Sequence, residues 1–585
     1  MPPVTEQPSP SSRARRPDSA PARPGRHDAA GTDAGALDRH HDRIRRRGVN
    51  KVVLLLAHLT IRPAILLWFR LSRTGREHIP TRGGVLLASN HRSFLDPWLV
   101  AVCARRPTYF MAKRELFDKR LQGWFLNALG AFPVCRGESD ETATETARLL
   151  LERGEAVLIF PEGTRTRSGS LRRPRRGIGR LALEAGVPVV PIAVLGSERA
   201  RRGWRIRPVK ISVRCGRPLT FPRVEGPSRR LATEVSERIW PCVELQWEWL
   251  GGLPPLRTAA VVGAGSMGTA FAALLARAGL DVQLGCRRAD QAARIRAEGR
   301  NDDYLPDVEL PPELRVATVP EIEFGGIDLV VLAVPSRELP QVVARLGARI
   351  GERSAVLVLA KGLVAPLGTR PTSYVEARVA ARAVAFLGGP AHAGEAVEHG
   401  ASVVLAAADE DLRPQLAEVL ERAGLEVEET ADIVGVELGA CAKNAATLAA
   451  SVAASRGNNA AGAAAGGVFA ECFELALAQG ARPATLAGLA GVGDLVGTVL
   501  ATGSRNRRAG ELLAEGMPAE QVPDALGCAA EALDAVPLLV DALGAAGVDC
   551  PATRALSDLI AGETSAEGWF ERLSGAPAEG DRRVA

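Results

Sequence analysis

His91 and Asp96 are separated by four residues in SNHRSFLDP, where an apolar run ends. On a turn, that spacing lets the carboxylate fix the tautomer and orientation of the imidazole, leaving its other nitrogen to deprotonate a hydroxyl. Alone the pair is a weak signal, because a surface histidine followed by a helix-capping aspartate looks the same. Three more blocks follow it in order: GAFPVCRG with Arg136, FPEGTRTRSG with Glu162, Gly163, Thr164 and Arg165, and VPVVPI.

A second group of chemistry-bearing residues begins at VVGAGSMGTAFAALLARAG. Gly263, Gly265 and Gly268, with Ser266 and Met267 between them, follow a strand pattern and open a helix pattern. Glycines there let the backbone approach a pyrophosphate, which the helix N-terminus then stabilises. Roughly twenty residues on, where an acidic residue would select NAD, stand Arg287 and Arg288 in LGCRRAD. Arginine at that position tolerates or prefers the extra phosphate of NADP. The expected cofactor is NADP or NAD, with NADPH preferred.

These residues need elements to hold them. GGVLLASNH, EAVLIFPEG and VPVVPIAVLG alternate with helix patterns, which implies an α/β domain ending in the helical stretch SRRLATEVSERIWPCVELQWEWL. GGLPPLRT has the Gly/Pro punctuation of a linker. A strand AAVVGAG follows at once, then β-α units to about residue 424 and Ala/Leu-rich helices to about residue 562. The expected organisation is a tail over 1–38, an α/β domain over 39–250, a linker over 251–257, a Rossmann domain over 258–424, an all-helical domain over 425–563 and a second tail over 564–585. A chain of 585 residues has room for several such cores.

Charge separates the halves. Through Arg257 the chain carries 46 Lys+Arg against 24 Asp+Glu, and beyond it 27 against 43, giving +22 and −16. A basic first half implies an anionic partner that does not touch the whole chain. No aromatic-interleaved basic motif suggests nucleic acid. The nine cysteines are scattered singly, which argues for a reducing compartment and no structural zinc. The first residues are rich in Pro, Ser, Ala and Arg without an apolar signal core, so secretion is not expected. After the basic run RIRRRGVNK, residues 51–71 are apolar but interrupted by Arg62-Pro63. That suits two short helices dipping into the cytoplasmic leaflet better than one spanning helix.

The four ordered blocks of the first half resemble the glycerolipid acyltransferase family, typified by 1-acyl-sn-glycerol-3-phosphate acyltransferases, over residues 50–245. The resemblance implies that His91 is the general base oriented by Asp96. The donor would be acyl-CoA or acyl-carrier protein and the acceptor lysophosphatidate, with glycerol 3-phosphate also open. Arg136 and Arg165 would bind the acceptor's phosphate, a job suited to the planar guanidinium fork, with Glu162, Gly163 and Thr164 completing that site.

In the second half, NDDYLPDVELPPELRVAT, LAVPS, LAKGL, GGPAHAGE, GVELGACAKN, GVGDLVGT and SRNRR resemble the NAD(P)-dependent glycerol-3-phosphate dehydrogenases over residues 258–563. This implies Lys443 as general acid/base, Lys361 and Asp494 beside it, and Asn444, Thr498, Arg505 and Asn506 holding dihydroxyacetone phosphate or glycerol 3-phosphate. Departures are visible: Ala461 and Gly467 replace basic residues, and AAEALD around Glu531, a cofactor-contacting position, is all that remains of a longer block. The implied whole is a bifunctional phospholipid-synthesis enzyme at the inner face of the cell membrane. A homodimer is compatible with the resemblance. The alternative is an active acyltransferase fused to a degenerate, regulatory or scaffolding dehydrogenase.

Overall fold

The computed structural model describes residues 30–135, 140–166, 169–501, 503–527 and 529–575. They form two compact units, one comprising the residues through Arg165 with Arg173–Leu250, the other Gly251 onward with Thr166–Arg172.

The first unit opens with two helices, Ala30–Arg47 and Lys51–Trp68. Helix Ala30–Arg47 begins inside the expected tail of 1–38, because no proline stands between Pro24 and Pro63 and the stretch is rich in helix formers. It is tied down by buried Ile44 and by His41 Nδ1, 2.9 Å from Thr146 Oγ1. Helix Lys51–Trp68 runs unbroken through Pro63, in place of the two short helices expected. Proline removes one hydrogen bond here. The Asn50 side chain caps the N–H groups of Val52 and Val53, and buried Ile65 and Phe69 fix the far end.

A seven-stranded sheet follows. Its strands are β1 (Ser72–Thr74), β2 (Val85–Ser89), β3 (Thr108–Lys113), β4 (Ala131–Val134), β5 (Ala156–Ile159) and β6 (Val189–Leu195). A hairpin of β7 (Arg201–Arg202) and β8 (Arg205–Ile206) then leads to β9 (Ser212–Cys215). The order is β1-β9-β6-β2-β5-β3-β4, with β9 antiparallel to β6 and the strands from β6 to β4 parallel. Interior parallel strands are covered on both faces, which is why VLLAS of β2 is buried at every position. Ala88 pairs with Ile159, so the residues leaving β2 and β5 emerge side by side.

The second unit holds β10 (Thr258–Val262), β11 (Asp281–Cys286), β12 (Arg315–Thr318), β13 (Leu329–Leu332), β14 (Ala355–Val358), β15 (Ala383–Gly388), β16 (Ser402–Ala407) and β17 (Glu426–Thr430). Their order is β12-β11-β10-β13-β14-β15-β16-β17, antiparallel only between β15 and β16. The direction of winding reverses between β10 and β13, the point at which doubly wound sheets open a crevice. Helices complete the unit around Ile433–Ala453, buried at every residue from Gly435 to Ala453. The last, Ala566–Gly575, lies in the expected tail of 564–585 yet buries Trp569 and Phe570 in the helical core. Two aromatics in a polar run were the overlooked signal. The chain is thus an α/β domain followed by a Rossmann-like sheet and a helical domain.

Among the described residues, three segments are long and apolar enough to cross a membrane: Lys51–Trp68, Asn458–Ala478 and Pro483–Leu500. The first is the least buried.

Candidate active sites

The first site sits where β2 and β5 end. His91 Nδ1 is 2.9 Å from Asp96 Oδ2. The same oxygen accepts the backbone N–H groups of Arg92 and Ser93, each at 2.6 Å, and Oδ1 accepts the Ser197 hydroxyl at 2.6 Å. Asp96 is wholly buried, and a carboxylate out of water requires such partners. With Nδ1 held by a carboxylate, the His91 lone pair falls on Nε2. Phe160, just past β5, stacks on the imidazole at 4.0 Å between ring centroids. Below the turn, the buried Arg92 guanidinium lies 4.6 Å from the Trp247 ring of helix Arg229–Trp249.

Glu162 is nearer to this dyad than its block suggested: its Oε1 accepts the His91 backbone N–H at 2.7 Å. Gly163 has φ +71°, and a Cβ there would lie 2.6 Å from Arg175 Nε. The Arg175 side chain therefore lies across the glycine, a guanidinium that the motif reading did not single out. Thr164 is half-buried and Arg165 exposed in the same turn. Arg136 lies outside the described residues.

The second site is a cleft of about 1170 Å³ at the β10/β13 switch point. Of the expected cofactor residues, Gly263, Gly265, Ser266, Met267, Arg287, Arg288 and Glu531 line it. Gly268 does not: a Cβ there would stand 1.8 Å from the Gly263 carbonyl oxygen, so this glycine lets helix Ser266–Arg277 pack on the strand. A Cβ at Gly265 would meet open space, and no side chain caps the helix N-terminus that starts there. Open space in front of uncapped N–H groups fits a dinucleotide's pyrophosphate. Arg288 pairs with Asp290 and Asp303 at 3.3 and 3.9 Å.

The expected substrate residues Lys361, Lys443, Asn444, Asp494, Thr498, Arg505 and Asn506 line the same cleft. Asp494 stands between two ammonium groups, 2.9 Å from Lys361 Nζ and 3.2 Å from Lys443 Nζ. Lys443 also donates to Thr498 Oγ1 at 3.0 Å, and Lys361 to the Gly389 carbonyl at 3.0 Å. Asn506 Nδ2 donates to Asn444 Oδ1, whose Nδ2 donates to the Lys361 carbonyl, both at 2.8 Å. Burial, with the Lys361 charge, pulls the Lys443 ammonium down to a pKa of about 8 against the opposing pull of Asp494. Burial alone would raise the Asp494 carboxyl, but the two lysines override it and hold it below the ordinary value. Burial raises Glu531, against the pull of Arg505. An ammonium poised near neutrality can both give and take a proton.

Sequence reasoning missed Ser197, which lies 101 residues from Asp96 and carries no motif. It also missed His392, which lines the cleft with Nε2 buried and without a hydrogen-bond partner. GPAHAGE pointed at that neighbourhood, though not at the imidazole.

The family described as Acyltransferase matches residues 70–195. The N-terminus and C-terminus families of NAD-dependent glycerol-3-phosphate dehydrogenase match residues 258–413 and 432–571. The glycerol-3-phosphate dehydrogenase [NAD(P)+] of Deinococcus radiodurans is 37% identical over 325 residues, 55% of this chain and 96% of that protein. The glycerol-3-phosphate dehydrogenase [NAD(P)+] 2 of Salinibacter ruber is 34% identical over 319 residues, 53% of this chain and 92% of that protein. Among solved structures, the glycerol-3-phosphate dehydrogenase of Coxiella burnetii aligns with 27% identity and a TM-score of 0.51, covering 55% of this chain and 100% of that one. Through its second half the chain therefore belongs to the NAD-dependent glycerol-3-phosphate dehydrogenase family, and it joins to that half, in one polypeptide, a domain of the acyltransferase family.

Proposed function

We propose that the chain carries out two reactions of phospholipid synthesis: acyl transfer from acyl-CoA or acyl-carrier protein to 1-acyl-glycerol 3-phosphate, and NAD(P)H-dependent interconversion of dihydroxyacetone phosphate and sn-glycerol 3-phosphate. Acyl transfer is assigned to residues 39–250, cofactor binding to 258–424 and substrate binding to the helices from 425. The observation that carries the first reaction is the fully hydrogen-bonded Asp96 holding His91. Nε2 takes the acceptor's hydroxyl proton as that oxygen attacks the thioester carbonyl, and the proton passes to the departing thiolate. No acyl-enzyme is needed. Arg136 and Arg165, with the neighbouring Arg175, hold the acceptor's phosphate beside the turn formed by Glu162, Gly163 and Thr164.

The second reaction rests on Lys443, buried and paired with Asp494 in a cleft that also offers a pyrophosphate cradle. The bound nicotinamide supplies the hydride. Lys443 gives its proton to the substrate's C2 oxygen on reduction and takes it back on oxidation. Asp494 keeps Lys443 aimed, Lys361, Asn444 and Thr498 position the substrate, and Arg505 with Asn506 anchors its phosphate. Arg287 favours NADPH, since Arg288 is shared with Asp290 and Asp303. The exposed apolar side of helix Lys51–Trp68, preceded by Arg45, Arg46 and Arg47, supports attachment to the inner face of the cell membrane.

The test is oxidation of NADPH by the purified chain with dihydroxyacetone phosphate, alongside Lys443→Ala, and acyl transfer from acyl-CoA to 1-acyl-glycerol 3-phosphate or glycerol 3-phosphate, alongside His91→Ala. Each substitution should abolish its own reaction. No ketone-dependent oxidation of NADPH or NADH by folded protein would overturn the dehydrogenase reading.

A further inference from the structure

The hairpin of β7 and β8 has no part in the mechanism above, yet it is built onto it. Ser197, which holds Asp96, lies in the short turn Ser197–Ala200 that runs directly into β7. The Arg201 guanidinium lies 5.7 Å from the ring of Phe94, a residue between His91 and Asp96. At the hairpin's tip Trp204 is 83% exposed, with Arg205 5.2 Å from its ring and Ile206 exposed beside it. An indole left largely in water costs free energy unless something covers it.

The sheet register shows what else emerges at this edge. Leu195, at the end of β6, pairs with Ser212, the first residue of β9, and Ser212 pairs with Ser72, the first residue of β1. The Phe69 carbonyl, just past helix Lys51–Trp68, accepts the Ile211 N–H. The hairpin, the end of that helix with exposed Leu67 and Trp68, and the His91 turn beyond β2 therefore share one end of the sheet. Arg199, Arg201, Arg205 and Arg207 put four exposed guanidinium groups on and beside the hairpin. Exposed indoles at one end of the sheet, with guanidinium groups beside Trp204, are the chemistry of a bilayer's headgroup layer, apolar on one side and anionic on the other.

We propose that this hairpin is a second membrane-contacting element, with Trp204 entering the headgroup layer of an anionic bilayer and the arginines meeting lipid phosphates. The mouth of the His91 site is then seated on the membrane from two sides. The inference rests on reading the first unit as an enzyme acting on a lipid-borne acceptor.

The experiment is co-sedimentation of the full chain with phosphatidylcholine vesicles, with and without phosphatidylglycerol. Trp204→Ala should weaken binding to the anionic vesicles by roughly tenfold, and Arg205→Gln and Arg207→Gln by on the order of fivefold each, with part of the salt dependence lost. Trp204→Phe should restore most of the affinity, which separates lost membrane contact from lost folding. Wild-type vesicle binding by Trp204→Ala and by the arginine variants would overturn the proposal. So would unchanged vesicle binding with a raised KM for acyl-CoA, which would give the hairpin to the donor's nucleotide. Hairpin-dependent vesicle binding by a chain that transfers no acyl group would support the proposal while refuting the acyltransferase reading.

Discussion

Replacing Asp494 with Asn tests the charge arrangement at the dehydrogenase site. The carboxylate lies 3.2 Å from Lys443 Nζ, and at an effective dielectric of about 20 Coulomb's law gives an attraction of about 5 kcal/mol. At about 1.36 kcal/mol per pKa unit, the ceiling on the fall in the Lys443 pKa is roughly four units. Water entering the cleft and the hydrogen bond that asparagine can still accept reduce this to about one to two units. In the proposed reaction, reduction of the ketone uses the protonated lysine, so activity is present below its pKa and lost as pH rises through it. The alkaline limb of kcat/KM, near pH 8 in the wild type, should move to roughly pH 6–7 in Asp494→Asn. At pH 8 about half the wild-type lysines carry the proton against a few per cent in the variant, a loss on the order of tenfold from protonation alone.

Lys361→Met supplies the opposite sign. Removing a like charge lifts the Lys443 pKa, so the alkaline limb should move above pH 8. Oxidation of glycerol 3-phosphate uses the deprotonated lysine, and its acid limb should shift in the same direction as the reduction limb in each variant. The assay is initial-rate absorbance of NADPH across pH in both directions. Limbs that stay fixed, or that move the same way in both variants, would refute the assignment of Lys443 as the titrating group.

Ser197→Ala removes a 2.6 Å hydrogen bond to buried Asp96 and should lower kcat for acyl transfer by about tenfold, with KM for acyl-CoA unchanged; a wild-type kcat would mean that the other three bonds suffice. Gly268→Ala forces a Cβ to 1.8 Å from the Gly263 oxygen and should lower the melting temperature of the second unit and abolish NADPH binding. Gly265→Ala puts its Cβ into open space, so it should fold normally but raise KM for NADPH by roughly tenfold; equal behaviour of the two glycine variants would contradict the cradle. Arg287→Ala should cut kcat/KM for NADPH by about tenfold and for NADH much less, read by paired initial rates. Equal losses with both cofactors would remove Arg287 from the 2′-phosphate.

The sequence was most legible where a function is local along the chain. His91 and Asp96 are five residues apart, and the Gly263 to Gly268 loop is one strand-to-helix turn, so both could be read with their physical reason attached. Helix limits were less legible because they depend on packing. Pro63 reads as a break, but capping by Asn50 and burial of Ile65 and Phe69 carry the helix through it. Composition made residues 1–38 and 564–585 look like tails, yet helix Ala30–Arg47 begins at residue 30 with Leu37 packed against the core, and Trp569 and Phe570 are buried.

Both sites use a buried carboxylate to hold a proton-carrying nitrogen, and they differ in how the chain brings the two together. Asp96 reaches His91 across one turn, so the pair can be picked out along the chain once the blocks that follow it are read with it. Asp494 reaches Lys361 across 133 residues, from the helical domain to a loop beyond β14, and no periodicity forecasts it. Resemblance supplied those names without their distances. The further members of each site fall on the same side of that line. Ser197 is placed by β6 lying beside β2, and Glu162 by β5 lying on the other side, so strand order positions both on the dyad. A motif read along the chain therefore finds His91, Asp96 and the turn that binds them, while Ser197 and Glu162 become visible only once the sheet is assembled.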